Sequence, residues 1–247
     1  MTRGARLWLF APAVAGFGAL LVWAVAGLPD FGMTEHRYGY LIGHVALPER
    51  HMTNAVTAVV FDYRGFDTMG EEFILFAAVT GVVLLLRRHE RERGRGRPDS
   101  TRSDAVRVIG VLAVGVGVLT GLWLVAFGFV TPGGGFQGGV AVASGVVLLY
   151  LAADYRAWSR VARHEVLEPL EGIGAGAYVV VGIAALVAGM PFLTNLLGPG
   201  EPGTVWSGGS AALVNWAAGT EVAAANLLLF GEFLEEYIVP LHGRRNT

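Results

Sequence analysis

Six stretches of this chain stay apolar for about the length that crosses a bilayer, and no other feature restricts the fold so far. The hydrocarbon core is about 30 Å thick and takes about 20 helical residues to cross. Inside it every backbone N–H and C=O must be satisfied by the segment itself or by a closed barrel. The runs here are continuous rather than alternating, which argues for helices and against a barrel. They fall at residues 7–28, 70–86, 106–130, 134–153, 173–197 and 209–239. The second is short and follows an amphipathic stretch near 55–61, and the last is too long for one straight crossing, so it tilts or carries its acidic end into water. Charged residues make up only 15 % of the chain against 53 % hydrophobic, well under the roughly one quarter charged of soluble domains. The expectation is an all-α integral membrane protein of about six transmembrane helices, with one broken or short helix near 55–86.

Arginine placement orients the spans. All 18 basic residues are Arg, and there is no cysteine, so neither disulfides nor thiolate-held clusters are open to this chain. Arg3 and Arg6 precede the first run. Arg87, Arg88, Arg91, Arg93, Arg95, Arg97, Arg102 and Arg107 separate the second from the third. Arg156, Arg160 and Arg163 follow the fourth, and Arg244 and Arg245 the sixth. With six spans these groups share one face, the cytoplasmic one by the positive-inside rule, and both termini lie there. Arg3, Arg6, the apolar run and Ala24-Val25-Ala26 would also suit a signal peptide; the segment is taken as a span. The polar stretch 87–105 is a solvated linker between a two-span front part, 1–86, and a four-span back part, 106–247. A net charge of −2 gives no basic field for nucleic acid, and the histidines, His36, His44, His51, His89, His164 and His242, lie in loops or tails with no metal-binding spacing. No metal or cofactor is expected.

Between the third and fourth runs stands Pro132-Gly133-Gly134-Gly135-Phe136-Gln137-Gly138-Gly139. Proline ends a helix near Val130. The glycines permit a tight reversal, Gln137 can bond a neighbouring backbone, and Gly138, Gly139 and Gly145 let the next helix pack closely in lipid. The run lacks the Lys-Ser/Thr ending of a phosphate loop. Close packing is the main reading, and freed carbonyls lining a cation path are the other.

The acidic residues carry the remaining chemistry. Asp62, Arg64, Asp67, Glu71 and Glu72 cluster at the outer end of the second span. Thr68 to Glu71 fits a capping box, Arg64 between two aspartates suits an ion pair at a bend, and a cation or proton role is the third reading. Glu221 lies near the middle of the last span, where a carboxylate costs roughly 2.5–3.5 kcal/mol and faces protein or water. It is either a proton or cation station or one half of an interhelical bond. Asn215 and Asn226 share a neighbouring stripe as interhelical polar groups. Glu232, Glu235, Glu236 and the segment His164–Glu171, with Glu165 and Glu168, are expected to be solvated or to face a partner. With no ionisable group in the interiors of the first, third, fourth and fifth spans, Glu221 alone cannot carry a proton across. The chain reads as a non-autonomous subunit.

Two stretches resemble parts of one kind of complex. The segment from Thr131 to Leu151, with its continuation to the last span, resembles the B subunit of Mrp-type multisubunit cation/proton antiporters, and of related hydrogenase subunits. Residues 54–87, "NAVTAVVFDYRGFDTMGEEFILFAAVTGVVLLLR", resemble the C-terminal segment of the large A subunit. The resemblance implies a subunit, not an enzyme, of a prokaryotic cell-membrane antiporter exchanging cytoplasmic Na+ for external H+. Its partners would be complex I-like A and D subunits. Glu221 would be the titrating group and Asp67–Glu71 a second ionic cluster. The alternatives are a related energy-converting oxidoreductase and a scaffold without ion contact.

Overall fold

The computed structural model describes residues 3–28, 37–87 and 103–238. The described residues form helices α1 (Arg3–Ala26), α2 (Arg37–Arg50), α3 (Ala55–Ala58), α4 (Gly65–Arg87), α5 (Asp104–Ala126), α6 (Gly135–Ala152), α7 (Tyr155–Val161), α8 (His164–Val187) and α9 (Ser210–Ile238), with one π-helical turn, Val59–Tyr63, before α4. Five of them, α4, α5, α6, α8 and α9, are long and apolar enough to cross a membrane. The chain divides into two compact units, residues 1–40 and 41–247. In the first, α1 carries a shorter apolar stretch, Phe10–Ala26, with Pro12 inside it.

In the second unit α9 is the hub, and α4, α6 and α8 pack around it while α5 pairs with α6. Small residues set the spacing. A Cβ on Gly117 would sit 2.8 Å from Gly145 Cα, and one on Gly121 2.5 Å from Val142 N, so α5 and α6 touch backbone to backbone, as packing in lipid favours. One apolar core centres on Trp158, Ala224 and Leu228 and a second on Phe129, Tyr178 and Val214.

The last helix matches the expected 209–239 closely, but other elements differ. α5 stops at Ala126, not near Val130, because Phe127 to Pro132 form the turn itself, with Thr131 N bonded to Phe127 O at 2.8 Å. α8 begins at His164 rather than 173 and ends at Val187 rather than 197. Its first turns are charged, so a hydropathy window reads them as loop. His164 therefore opens a helix and His44 lies within α2, neither in a loop. The amphipathic α2 and the short α7 were not expected; Asp154 caps α7 through Ala157 N at 2.7 Å. Most of the arginine-rich linker, with His36, His89, His242, Arg244 and Arg245, lies outside the described residues, as do the side chains of Glu235 and Glu236.

Candidate functional site

The glycine turn is filled with protein polar groups. Gly133 and Gly134 take φ values of 158° and 142°, a region that side chains avoid. Asn54 caps α3 by accepting from Val56 N and Thr57 N. It also donates to Gly128 O at 2.7 Å and Thr131 O at 3.0 Å. Thr57 Oγ1 donates to Gly128 O at 2.7 Å and Gly134 N to Leu124 O at 3.0 Å. Asn215 of α9, fully buried, accepts from Gly135 N and donates to Val125 O, both at 2.7 Å. The carbonyls of Gly128, Val125 and Leu124 are thus engaged by the chain. Phe136 packs on the core beside Phe129, and Gln137 Oε1 lies against Gly134. Where Gly135, Gly138 and Gly139 stand, a Cβ would come within 2.4, 2.3 and 2.8 Å of a neighbour. Asn226, expected to bond between helices, instead donates to Val222 O one turn back at 2.8 Å.

The acidic cluster at the start of α4 divides. Asp62 pairs with Arg50 at 2.8 Å, and Arg64 donates to Asp67 at 2.6 Å at the surface. Burial pushes the Asp62 carboxyl above its ordinary range, against the pull of the Arg50 guanidinium and a hydrogen bond with Asn195. Arg50, Asp62, Arg64, Asp67, Thr194 and Asn195 line a polar cavity of about 450 Å³ that reaches Gly65. Glu71 is exposed. The capping box is not formed: α4 starts three residues before Thr68, whose hydroxyl donates to Val60 O at 2.6 Å.

Glu72 leaves this cluster altogether. It points into the bundle, fully buried, and its carboxyl meets that of Glu221 from α9, also fully buried. No donor elsewhere among the described residues bonds any of these four oxygens. Two carboxylates offer only acceptors and repel each other, so the contact needs one positive charge, a proton or a cation, between them. Gly174 of α8 closes the third side; a Cβ there would sit 2.7 Å from both Glu221 Cβ and N.

The polar residues on α8 continue in both directions from this pair. Toward the α8 C-terminus, Tyr178, 1 % exposed, donates to Gly65 O at 2.8 Å and lies in hydrogen-bonding reach of Thr68. Toward the N-terminus, Glu171 is buried beside Glu221 and Glu168, with one oxygen lacking a hydrogen bond. His164 Nδ1 then lies 3.7 Å from both Glu168 and the buried Glu232 of α9. The expected solvation of Glu171 and Glu232 is therefore wrong, and so is the expectation that the fifth span is free of ionisable residues. The missed signal is a spacing: His164, Glu168, Glu171 and Tyr178 fall four, three and seven apart, one face of a helix. Among the described residues no group of three or more His, Asp or Glu is arranged to hold a metal ion.

Comparison with known proteins places the chain. A family model described as a domain related to the MnhB subunit of Na+/H+ antiporters matches residues 105–229, and one described as the E subunit of MBH matches residues 6–102. An uncharacterized protein of Methanocaldococcus jannaschii is 30 % identical over 200 residues, 72 % of this chain and 71 % of its own length. A probable K+/H+ antiporter A/B subunit of Rhizobium meliloti is 32 % identical over 168 residues, 58 % of this chain but 16 % of that protein. A chain of an archaeal respiratory membrane complex, the membrane-bound sulfane sulfur reductase, is 29 % identical with a TM-score of 0.67, covering 95 % of this chain and 99 % of that one. With half its length matched by the family model, the chain belongs to the family of membrane proteins related to the MnhB subunit of Na+/H+ antiporters.

Proposed function

We propose that this chain is a membrane subunit of a multisubunit cation/proton antiporter of the plasma membrane, with the Glu72–Glu221 pair as its proton-holding centre. The complex would exchange cytoplasmic Na+ for external H+, with other membrane subunits of the antiporter as partners, including complex I-like ones. The arginine-rich segments orient it with both termini in the cytoplasm, so the glycine turn and the Asp62 cavity face outward. The observation that carries the reading is the carboxyl pair itself: two fully buried acids in contact, with no basic partner among the described residues. Burying a single carboxylate at mid-span costs roughly 2.5–3.5 kcal/mol, and a scaffold gains nothing from burying two.

The test is transport by the native complex in everted vesicles, read with a fluorescent pH-gradient probe, with assembly followed by native gel. Glu221→Gln and Glu72→Gln should each slow exchange by roughly a hundred-fold, the scale of a positioned proton-transfer group, in a fully assembled complex. Wild-type rates in both would leave a scaffold. The likeness to the sulfane sulfur reductase chain over almost its whole length favours a second reading, the same membrane module attached to a redox arm. Identification of the chains that co-purify in mild detergent separates the two, since cluster-bearing redox subunits belong only to the second.

A further inference from the structure

The carboxyl pair does not stand alone, and its neighbours reach both ends of the bundle. On one side, Glu72 shares the inner face of α4 with Thr68, one turn away. Thr68 meets Tyr178, and Tyr178 holds the carbonyl of Gly65, which lines the polar cavity with Asp62, Arg50 and Asn195. On the other side, Glu221 faces Glu171, Glu171 faces Glu168, and His164 bridges Glu168 and Glu232 at 3.7 Å each. At 1.5 Å per residue, the line from Gly65 to Glu72 and on from Glu221 to Glu232 extends about 27 Å, close to the hydrocarbon thickness of about 30 Å. Every side chain named between the cavity and Glu232 can give or accept a proton.

We propose that α4, α8 and α9 form a proton wire of this chain's own across the membrane. His164, Glu168 and Glu232 are its inner mouth, Glu171, Glu221 and Glu72 its relay, and the Tyr178 hydroxyl its outer constriction beneath the Asp62 cavity. This rests on the reading of Glu72–Glu221 as a proton-holding pair and extends it in both directions. The wire carries protons and not metal cations: Glu72 and Glu221 have no exposed surface, and Gly174 lies against Glu221 with no room even for a methyl group. A proton needs only a succession of donors and acceptors along the line, whereas a dehydrated cation needs a cavity among its ligands. The exchanged cation therefore crosses through partner subunits. In each transfer one O–H or N–H bond breaks as the next forms, and no further reactant is required.

Two measurements on the native complex test the wire. In everted vesicles, Tyr178→Phe and Glu171→Gln should each slow exchange at least about ten-fold, less than a pair variant, because a hydroxyl or carboxyl is lost from the line rather than from its centre. Wild-type exchange in either one, with Glu221→Gln inactive, overturns the wire and leaves the pair standing. Activity in Glu221→Gln removes the pair as well. The second measurement does not depend on transport. The chain has no cysteine, so Glu168→Cys, at the partly exposed inner mouth, and Thr194→Cys, in the outer cavity, each introduce a single thiol. A membrane-impermeant cationic thiol reagent should label Glu168→Cys from the cytoplasmic side alone and Thr194→Cys from the outer side alone, read by mass on this chain. Failure of either thiol to react from its own side overturns the proposal, including where a transport variant does not assemble.

Discussion

Asn215→Ala is the most informative single change in the glycine turn. Asn215 is fully buried and joins three helices, accepting from Gly135 N of α6 and donating to Val125 O of α5, both at 2.7 Å, from its place on α9. Alanine leaves the buried Gly135 N–H without this partner and Val125 O with only the long 3.4 Å bond from Gly128 N. A buried group left unsatisfied costs about 1–3 kcal/mol in a soluble core, while hydrogen bonds between membrane helices average about 0.6 kcal/mol with a maximum near 1.7. The lost N–H partner and the weakened carbonyl, with the three-helix link they made, together put the loss at about 2–4 kcal/mol. For a chain of this size each kcal/mol shifts the midpoint by about 2–4 °C, so the variant should melt about 4–16 °C lower in detergent, followed by tryptophan fluorescence. Asn226→Ala is the control. It removes the same side chain eleven residues along the same helix, but among the described residues that amide bonds Val222 O within its own helix. Its midpoint should stay within about 2 °C of the parent, since alanine is also the better helix former. Equal shifts for the two variants would refute the assignment of the turn's stability to Asn215.

Gly135→Ala places a Cβ 2.4 Å from Asn215 O and 2.8 Å from Gly219 N, both backbone atoms. It should cost about 1–3 kcal/mol by overpacking, seen as a lowered melting midpoint. Gly70→Ala meets nothing within 4 Å and should raise the midpoint through helix propensity, by about 1 kcal/mol or less. Because burial holds the Asp62 carboxyl above its ordinary value of 3.8, the folded state binds its proton more tightly than the unfolded one. That contribution to stability is full below 3.8 and is lost as pH rises through the raised value. Asp62→Asn should flatten this part of a melting-versus-pH curve, and Arg50→Ala, which removes the opposing charge, should steepen it. Thr68→Val deletes the donor to Val60 O and should loosen the joint between the π-helical turn and α4, measured as faster amide exchange over residues 59–68.

Apolar periodicity made the helical membrane fold legible, because lipid leaves the backbone few alternatives. The long run at 209–239 and the reversal at Pro132 needed only local rules. The start of α8 did not follow from such rules. Its charged residues make the segment read as loop, yet His164 and Glu171 lie on a helical face turned to Glu232 and Glu221 of α9. Glu221 stood out as an acid in an apolar run, but its partner did not. Glu72 lies 149 residues earlier, beside the exposed Glu71, and position alone suggests that both belong to one surface cluster. Only the packing of α4 on α9 separates them. Asn226 misled for the opposite reason: a polar residue in a span can satisfy itself on its own helix and need no neighbour.

The carboxyl pair also explains what a fused chain offers. Glu72 lies in the part that matches the E subunit of MBH, and Glu221 in the MnhB-related part. These descriptions name separate subunits, and here one chain carries both. Two like acids brought together from separate chains would add their repulsion and their desolvation to the cost of association. In one chain that cost falls on folding, and the contact of α4 with α9 becomes intramolecular at high effective concentration. Val79 and Val83 of α4 share an apolar core with Ala225 and Leu228 of α9, and against that attraction the buried acids oppose assembly until a proton is shared. On this argument, cutting the chain between α4 and α5 and co-expressing the halves should weaken the α4–α9 joint far more in the parent than in Glu72→Gln. The neutral amide donates to Glu221 and removes the repulsion without altering the shape of the interface. Equal recovery of paired halves from parent and variant would mean that the acids do not set the strength of this joint.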